Sequence, residues 1–122
     1  NGKGKQGMTP SKIKELLAGY RFDTSCEAIL QAQIEKVFQD SGAPYQREVR
    51  LSARDRIDFM LDGIGVEVKI KGQAKEIFRQ CQRYCTYDQI TAIVLVTGRS
   101  MGFPETIEGK PCYYHNLGRN WL

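Results

Sequence analysis

The stretch DRIDFMLDGIGVEVKIKG, Asp55 to Gly72, decides how this chain is read. Asp62-Gly63 is a strong two-residue hairpin signal. It separates two runs, 56–61 and 64–71, that alternate apolar and polar side chains. A two-residue turn there sets Leu61 opposite Ile64, Phe59 opposite Val66 and Asp58 opposite Glu67. Side chains alternate along a strand, so Ile57, Phe59 and Leu61 share one face with Val66, Val68 and Ile70. The other face carries Asp58, Glu67 and Lys69. A solvated polar face is the ordinary fate of such charges, but it favours opposite signs across a pair. Directly opposed residues hold their Cβ atoms roughly 4.5–5.5 Å apart, where two carboxylates repel. They gain most from a divalent cation between them, and hard oxygen donors suit magnesium or manganese.

The chain around this hairpin has 122 residues, enough for one domain with a real core. Its 41% hydrophobic and 26% charged residues are ordinary for a globular protein. No apolar run approaches ~18 residues, so no membrane span is expected, and no signal-peptide pattern is present. The opening NGKGKQG, before Met8, is polar and rich in Gly and Lys. It reads as a tag or disordered leader over 1–7, with a single domain over 8–122. Setting aside Lys3 and Lys5 takes the net charge from +4 to +2, so any argument for a nucleic-acid partner must rest on clustering.

Thr9-Pro10 opens a short helix over roughly 10–19. A second helix is expected from Ser25 to Asp40, capped by Thr24 or Ser25 and ended by Gly42. YQREVRL (45–51) alternates like a strand, and Pro44 fixes where it can start. After the hairpin, a third helix over 73–86 buries Ala74, Ile77, Phe78, Cys81 and Cys85 at helical spacing. ITAIVLVT (90–97) is apolar throughout, as suits a strand covered on both faces in parallel pairing. CYYHN (112–116) reads as one more short strand. The order implies an α/β layered fold in which a crossover helix leads to a parallel strand.

The second helix offers a third carboxylate. Its apolar stripe of Cys26, Leu30, Ile34, Val37 and Phe38 centres on Ile34, with Glu27 roughly 40° from that centre and Glu35 roughly 120° away. Glu27 is thus set into the buried face, where an ionised group is costly unless paired or liganded; Glu35 reads as solvated. Thr24-x-x-Glu27 also fits a capping box, so Glu27 is either a ligand or a cap.

Four cysteines, Cys26, Cys81, Cys85 and Cys112, carry no sign of secretion and read as reduced thiols in the cytoplasm. Their default role is that of small buried apolar side chains. Cys81, Cys85, Cys112 and His115 form a weaker alternative, a zinc site, because the tight Cys-x-x-Cys spacing is missing. His115, the only histidine, otherwise reads as structural.

At this point the residues resemble a known family. Asp58 followed by Glu67-Val68-Lys69 on the next strand is similar to the signature of the PD-(D/E)XK nuclease superfamily. SCEAILQ, DRIDF and EVKIKG are most like small VRR-NUC or RecB-type nuclease domains, including phage-borne ones. The resemblance covers about 25–97. It implies a restriction-endonuclease-like αβββαβ core, a mixed central sheet flanked by helices. It also implies metal-dependent hydrolysis of DNA phosphodiester bonds, as in repair, recombination or phage DNA processing. Asp58, Glu67, the Val68 carbonyl and Glu27 would hold Mg²⁺ or Mn²⁺, with Lys69 as the catalytic cation. The helix glutamate joins the metal site in that branch, which favours Glu27 over Glu35. Gln80 and Tyr84 resemble the Gln-x-x-x-Tyr element that supports the site and contacts DNA. Ile57 stands where the signature has proline, a loss the superfamily tolerates.

Arg47, Arg50, Arg54, Arg56, Lys71, Lys75, Arg79 and Arg83 crowd the segment that holds the proposed site. Such a cluster holds phosphates without reading sequence. Arg56, Lys71, Arg79 and Arg83 are the candidates for DNA contact, against an ordinary solvated helix face for Arg79 and Arg83. Tyr113, Tyr114 and Trp121 could stack on bases, with packing the default. So small a domain has little surface for a duplex, so a homodimer or larger partner is compatible. If phage-encoded, the protein would act in the host cytoplasm. The rival reading from another class is a non-catalytic nucleic-acid-binding module on the same scaffold, which needs the basic cluster but not the carboxylates.

Overall fold

A computed structural model describes residues 7–118. The expected leader at 1–7 therefore lies outside the described residues apart from Gly7, and so does Trp121. In chain order the elements are α1 (Pro10–Ala18), α2 (Glu27–Ser41), β1 (Gln46–Arg50), β2 (Arg56–Leu61), β3 (Ile64–Lys69), α3 (Ala74–Tyr84), β4 (Ala92–Thr97), β5 (Thr106–Ile107) and β6 (Lys110–Asn116). The six strands form one mixed sheet in the order β1-β2-β3-β4-β6-β5.

Local chemistry accounts for most of these boundaries. The Thr9 hydroxyl accepts a hydrogen bond from Lys12 N–H at 3.1 Å and Pro10 starts α1, whose Ile13 and Leu17 are buried. Gly42 ends α2 in the left-handed conformation at φ 78°. Asp62 and Gly63 are both left-handed, at φ 55° and 83°, as a two-residue hairpin turn requires. β4 lies between β3 and β6, parallel to both, and all six of its residues are buried. One face of the sheet packs Phe59, Val66, Val68, Val94 and Val96 against Ile13 and Leu17 of α1 and Leu30, Ile34 and Phe38 of α2. The opposite face packs Ile93 and Leu95 against Ile77, Cys81 and Tyr84 of α3.

Three expectations change here. β3 stops at Lys69 rather than running to Lys71, and α2 starts at Glu27, with Cys26 exposed at its cap instead of buried in its stripe. The larger correction concerns Ile57. It joins the α3 face, while Phe59 and Leu61 join the α1–α2 face. The β1–β2 register explains how. Arg47 pairs with Phe59 and Val49 pairs with Ile57, yet Glu48 between them has φ 54°. A left-handed residue in mid-strand resets the alternation. Arg47 consequently meets α2 while Val49 packs with Ile57 on the α3 side. Among the described residues, no helix is long and apolar enough to cross a membrane.

Candidate active site

The break in alternation at position 58 builds the site. The β2–β3 ladder runs from Leu61–Ile64 through Met60–Gly65 to Phe59–Val66 and goes no further. Asp58 therefore does not meet Glu67 as a regular ladder pair. Its side chain reaches into the gap where β2 leaves β3, and Oδ2 accepts the Val68 N–H at 2.8 Å. The carboxylate thus takes the place of a strand partner. A strand residue points its N–H and C=O the same way, so the Val68 carbonyl faces the same gap.

Glu67 follows one position earlier on β3. Only 3% of it is exposed, because α3 covers this side of the sheet. Its Oε1 is buried with no hydrogen-bond partner, and its Oε2 lies 3.5 Å from the Lys69 ammonium. The Tyr84 hydroxyl stands beside the carboxylate but gives its single proton to Arg56 O at 3.1 Å. Burial, and then the negative charge of Asp58, push the Glu67 carboxyl up to about 8, with Lys69 opposing. Burial likewise raises Asp58 to about 6 against the pull of the Val68 N–H; Glu27 and Glu48 add to the rise and Lys69 reduces it.

Glu27 arrives from the first turn of α2. Its Oε1 accepts the Ile70 N–H at 3.2 Å, just past the end of β3. The capping box is therefore not formed: Cys26 is the cap residue and makes no side-chain cap bond. Glu35 is not solvated either. It accepts from Arg47 Nη1 at 2.6 Å and from the Tyr45 hydroxyl at 2.7 Å. That tyrosine, then the arginine, hold its carboxyl below the usual range despite some desolvation.

An orphaned buried carboxylate oxygen, a neighbouring carboxylate and a ring of oxygen donors fit a hard divalent cation. Among the described residues, no three His, Cys, Asp or Glu side chains already stand disposed around one ion. The preset part is the Asp58–Glu67 pair, with Glu27 tied to the Ile70 amide. The zinc alternative fails on sheet geometry. Cys112 pairs with Ile93 on the α3 face, while His115 pairs with Val96 on the opposite face, where it is buried. Burial and the Lys14 charge keep that imidazole below its ordinary pKa.

Lys69, Lys71, Gln80 and Arg83 line a recess of about 270 Å³ beside the pair. A second recess, about 840 Å³ between α1 and the α2–β1 turn, contains none of the carboxylates of the site. Gln80 Nε2 donates to the Tyr84 hydroxyl at 2.8 Å, but Tyr84 is fully buried and offers no surface to DNA. Three arginines of the basic cluster are already paired with carboxylates. Arg47 is bound to Glu35 and stands over the Phe59 ring, and Arg56 lies 3.9 Å from Glu48. Arg83 pairs with the buried Asp55, which also accepts from Tyr87. Arg79 and Lys71 are exposed. Tyr113 and Tyr114 pack partly into the two cores.

Asp55 and Glu48 are the acids that sequence reasoning passed over. Asp55 ties the β1–β2 connection to α3, and its own backbone carbonyl accepts from Leu51 and Ser52. Pairing β1 with β2 in sequence could have placed Glu48 opposite Asp58; nothing in a glutamate announces a left-handed backbone. No protein-family model matches the chain, and neither a curated protein nor a solved structure matches it.

Proposed function

We propose that this protein is a Mg²⁺-dependent DNA nuclease with a restriction-endonuclease-like core. The carrying observation is the pairing of buried Glu67 with half-buried Asp58 at a break in the sheet, one Glu67 oxygen unpartnered and Lys69 beside it. Two carboxylates so placed cost stability unless a cation joins them. The element order α2-β1-β2-β3-α3-β4, with β3 and β4 parallel across α3, supports the αβββαβ reading.

In this reading Asp58, Glu67 and the Val68 carbonyl would hold the metal, and Glu27, now bonded to the Ile70 amide, would be the further ligand. A bound divalent cation supplies an acidified water and neutralises charge on the attacked phosphate. To serve as a ligand, Glu67 would release to solvent water the proton that burial makes it carry near neutrality. Lys69 then turns its ammonium to the phosphate or the attacking water, where charge develops. Tyr84 positions rather than reacts: Gln80 and the Arg56 carbonyl fix its hydroxyl beside Glu67. Lys71 and Arg79 supply phosphate contacts next to the recess.

The test is incubation with linear, branched and single-stranded DNA in Mg²⁺, Mn²⁺ or EDTA, alongside Asp58→Ala and Lys69→Ala. Cleavage that requires metal and disappears in both variants is expected. DNA binding with no metal-dependent cutting of any substrate would instead establish a binding module. Cutting unaffected by Asp58→Ala would remove the site assignment.

A further inference from the structure

Cys81, Cys85 and Cys112 share the core beneath α3. Cys85 closes that helix as its C-cap, and Cys112 lies near the start of β6. A clamp joins these two segments. Lys110 Nζ donates to the Tyr87 carbonyl at 2.7 Å, two residues beyond Cys85 on one chain segment and two before Cys112 on the other. Cys112 Sγ lies 3.5 Å from the Lys110 carbonyl, and the Cys112 thiol hydrogen-bonds the Cys85 thiol. Two sulfurs from separate elements are thus direct neighbours.

Exposure and charge separate this pair from the third thiol. Cys112 is 7% exposed, at the rim of the core, whereas Cys81 is fully buried and burial pushes its thiol up. The bond from Cys112 lowers the Cys85 thiol against burial, and the Lys110 ammonium adds to that fall. The thiolate is the reactive form of cysteine, and a hydrogen-bonded pair of thiols shares its proton. We propose that Cys85 and Cys112 are a peroxide-oxidised dithiol that closes to a disulfide joining α3 to β6. One thiolate of the pair attacks hydrogen peroxide and the O–O bond breaks, leaving a sulfenic acid. The departing hydroxide takes up the proton that the thiol had shed. The other sulfur then attacks the first, S–S forms, and the hydroxyl leaves as water with the second thiol's proton. Two thiols and one peroxide thus give one disulfide and two waters. Cys112 pairs with Ile93, at the opposite end of β4 from the Lys69–Thr97 pair, so this chemistry is independent of the carboxylate site.

The test uses the full chain with Cys26→Ser, which keeps the exposed Cys26 from joining two chains. After hydrogen peroxide, alkylation in denaturant should label Cys81 alone. Trypsin cuts after Arg83 and so separates Cys81 from Cys85. A non-reducing peptide map should then join the Cys85 and Cys112 peptides. Oxidation should raise the melting temperature by roughly 5–10 °C, dithiothreitol should reverse the rise, and Cys112→Ala should abolish it. Should Cys112→Ala fail to fold, the peptide map decides by itself. Three thiols still open to alkylation after peroxide would overturn the inference. So would a bridge from Cys81 to Cys112, or sulfinic acid at Cys85 or Cys112 with no bridge.

Discussion

Glu67 holds a proton in the folded chain that it would release on unfolding. Its folded pKa is about 8 against an ordinary 4.5, so the folded state binds more protons between those values and stability falls as pH rises through them. Asp58, raised to about 6 from 3.8, acts with the same sign over a lower window. In EDTA the melting temperature should drop between about pH 5 and about pH 8.5, by an amount corresponding to a few kcal/mol. Glu67→Gln should flatten most of that slope, and Mg²⁺ should restore stability most at the alkaline end. A slope unchanged by Glu67→Gln would place the titrating group elsewhere. Glu48 makes a separate expectation at this scale. Replacing a left-handed glutamate by glycine relieves roughly 1–2 kcal/mol of backbone strain, so urea unfolding should find Glu48→Gly more stable by about 1 kcal/mol. That Asp58, Glu67 and Lys69 lie near one another was legible in the sequence from the turn and the alternation, although alternation put Asp58 squarely opposite Glu67 and the ladder stops before that pair. The contact between Asp58 and the Val68 amide was not, since it depends on β2 leaving the ladder at Phe59.

Among the elements, β3 and its neighbours are fitted most closely at Gly65. A Cβ there would come within 2.4 Å of Ile57 Cδ1 and 3.0 Å of Ile90 Cδ1. Gly65→Ala should cost about 1–3 kcal/mol, and Ile57→Val, which deletes the nearer methyl, should recover part of it in a double-mutant cycle. Additive losses would mean that the backbone, not Ile57, absorbs the strain. The bare Gly65 leaves the space that Ile57 fills on the α3 face, an assignment that simple alternation reverses. Asp55 governs another element, the β1–β2 connection. Asp55→Ala removes the partner of Arg83 and Tyr87 and should cost about 2 kcal/mol, with faster hydrogen exchange at the Leu51 and Ser52 amides. Helix starts were less legible than turns. Asp23 Oδ1 accepts from both the Ser25 amide and hydroxyl, a local turn that occupies a candidate cap and leaves Cys26 to begin α2. β5, two residues long, is too short to show any period.

Across the whole molecule, charge is arranged more sparingly than the count of basic residues suggests. The net charge is +4, and Arg47, Arg56 and Arg83 are each paired with a carboxylate. DNA binding should therefore be salt-sensitive but modest, with log K falling at a slope of about −3 to −4 against log salt. Lys71→Ala combined with Arg79→Ala should reduce that slope by about 2 and weaken all sequences alike. A slope that stays the same would put the phosphate path elsewhere on the surface. The α/β layering and the parallel crossover were legible because β4 is apolar from Ala92 to Val96, as suits a strand covered on both faces. The partners of the arginines were not, because those pairs join residues from separate elements.

β1 is also the outermost strand on its side of the sheet, and its free edge is five residues long. Unpaired strand edges recruit other chains, and a left-handed residue at the third of those five positions spoils the straight row of amides and carbonyls that recruitment needs. A kink at Glu48 works against straight, fibril-like pairing along this edge, so one backbone feature both shapes the acidic end of β1 and blunts its edge.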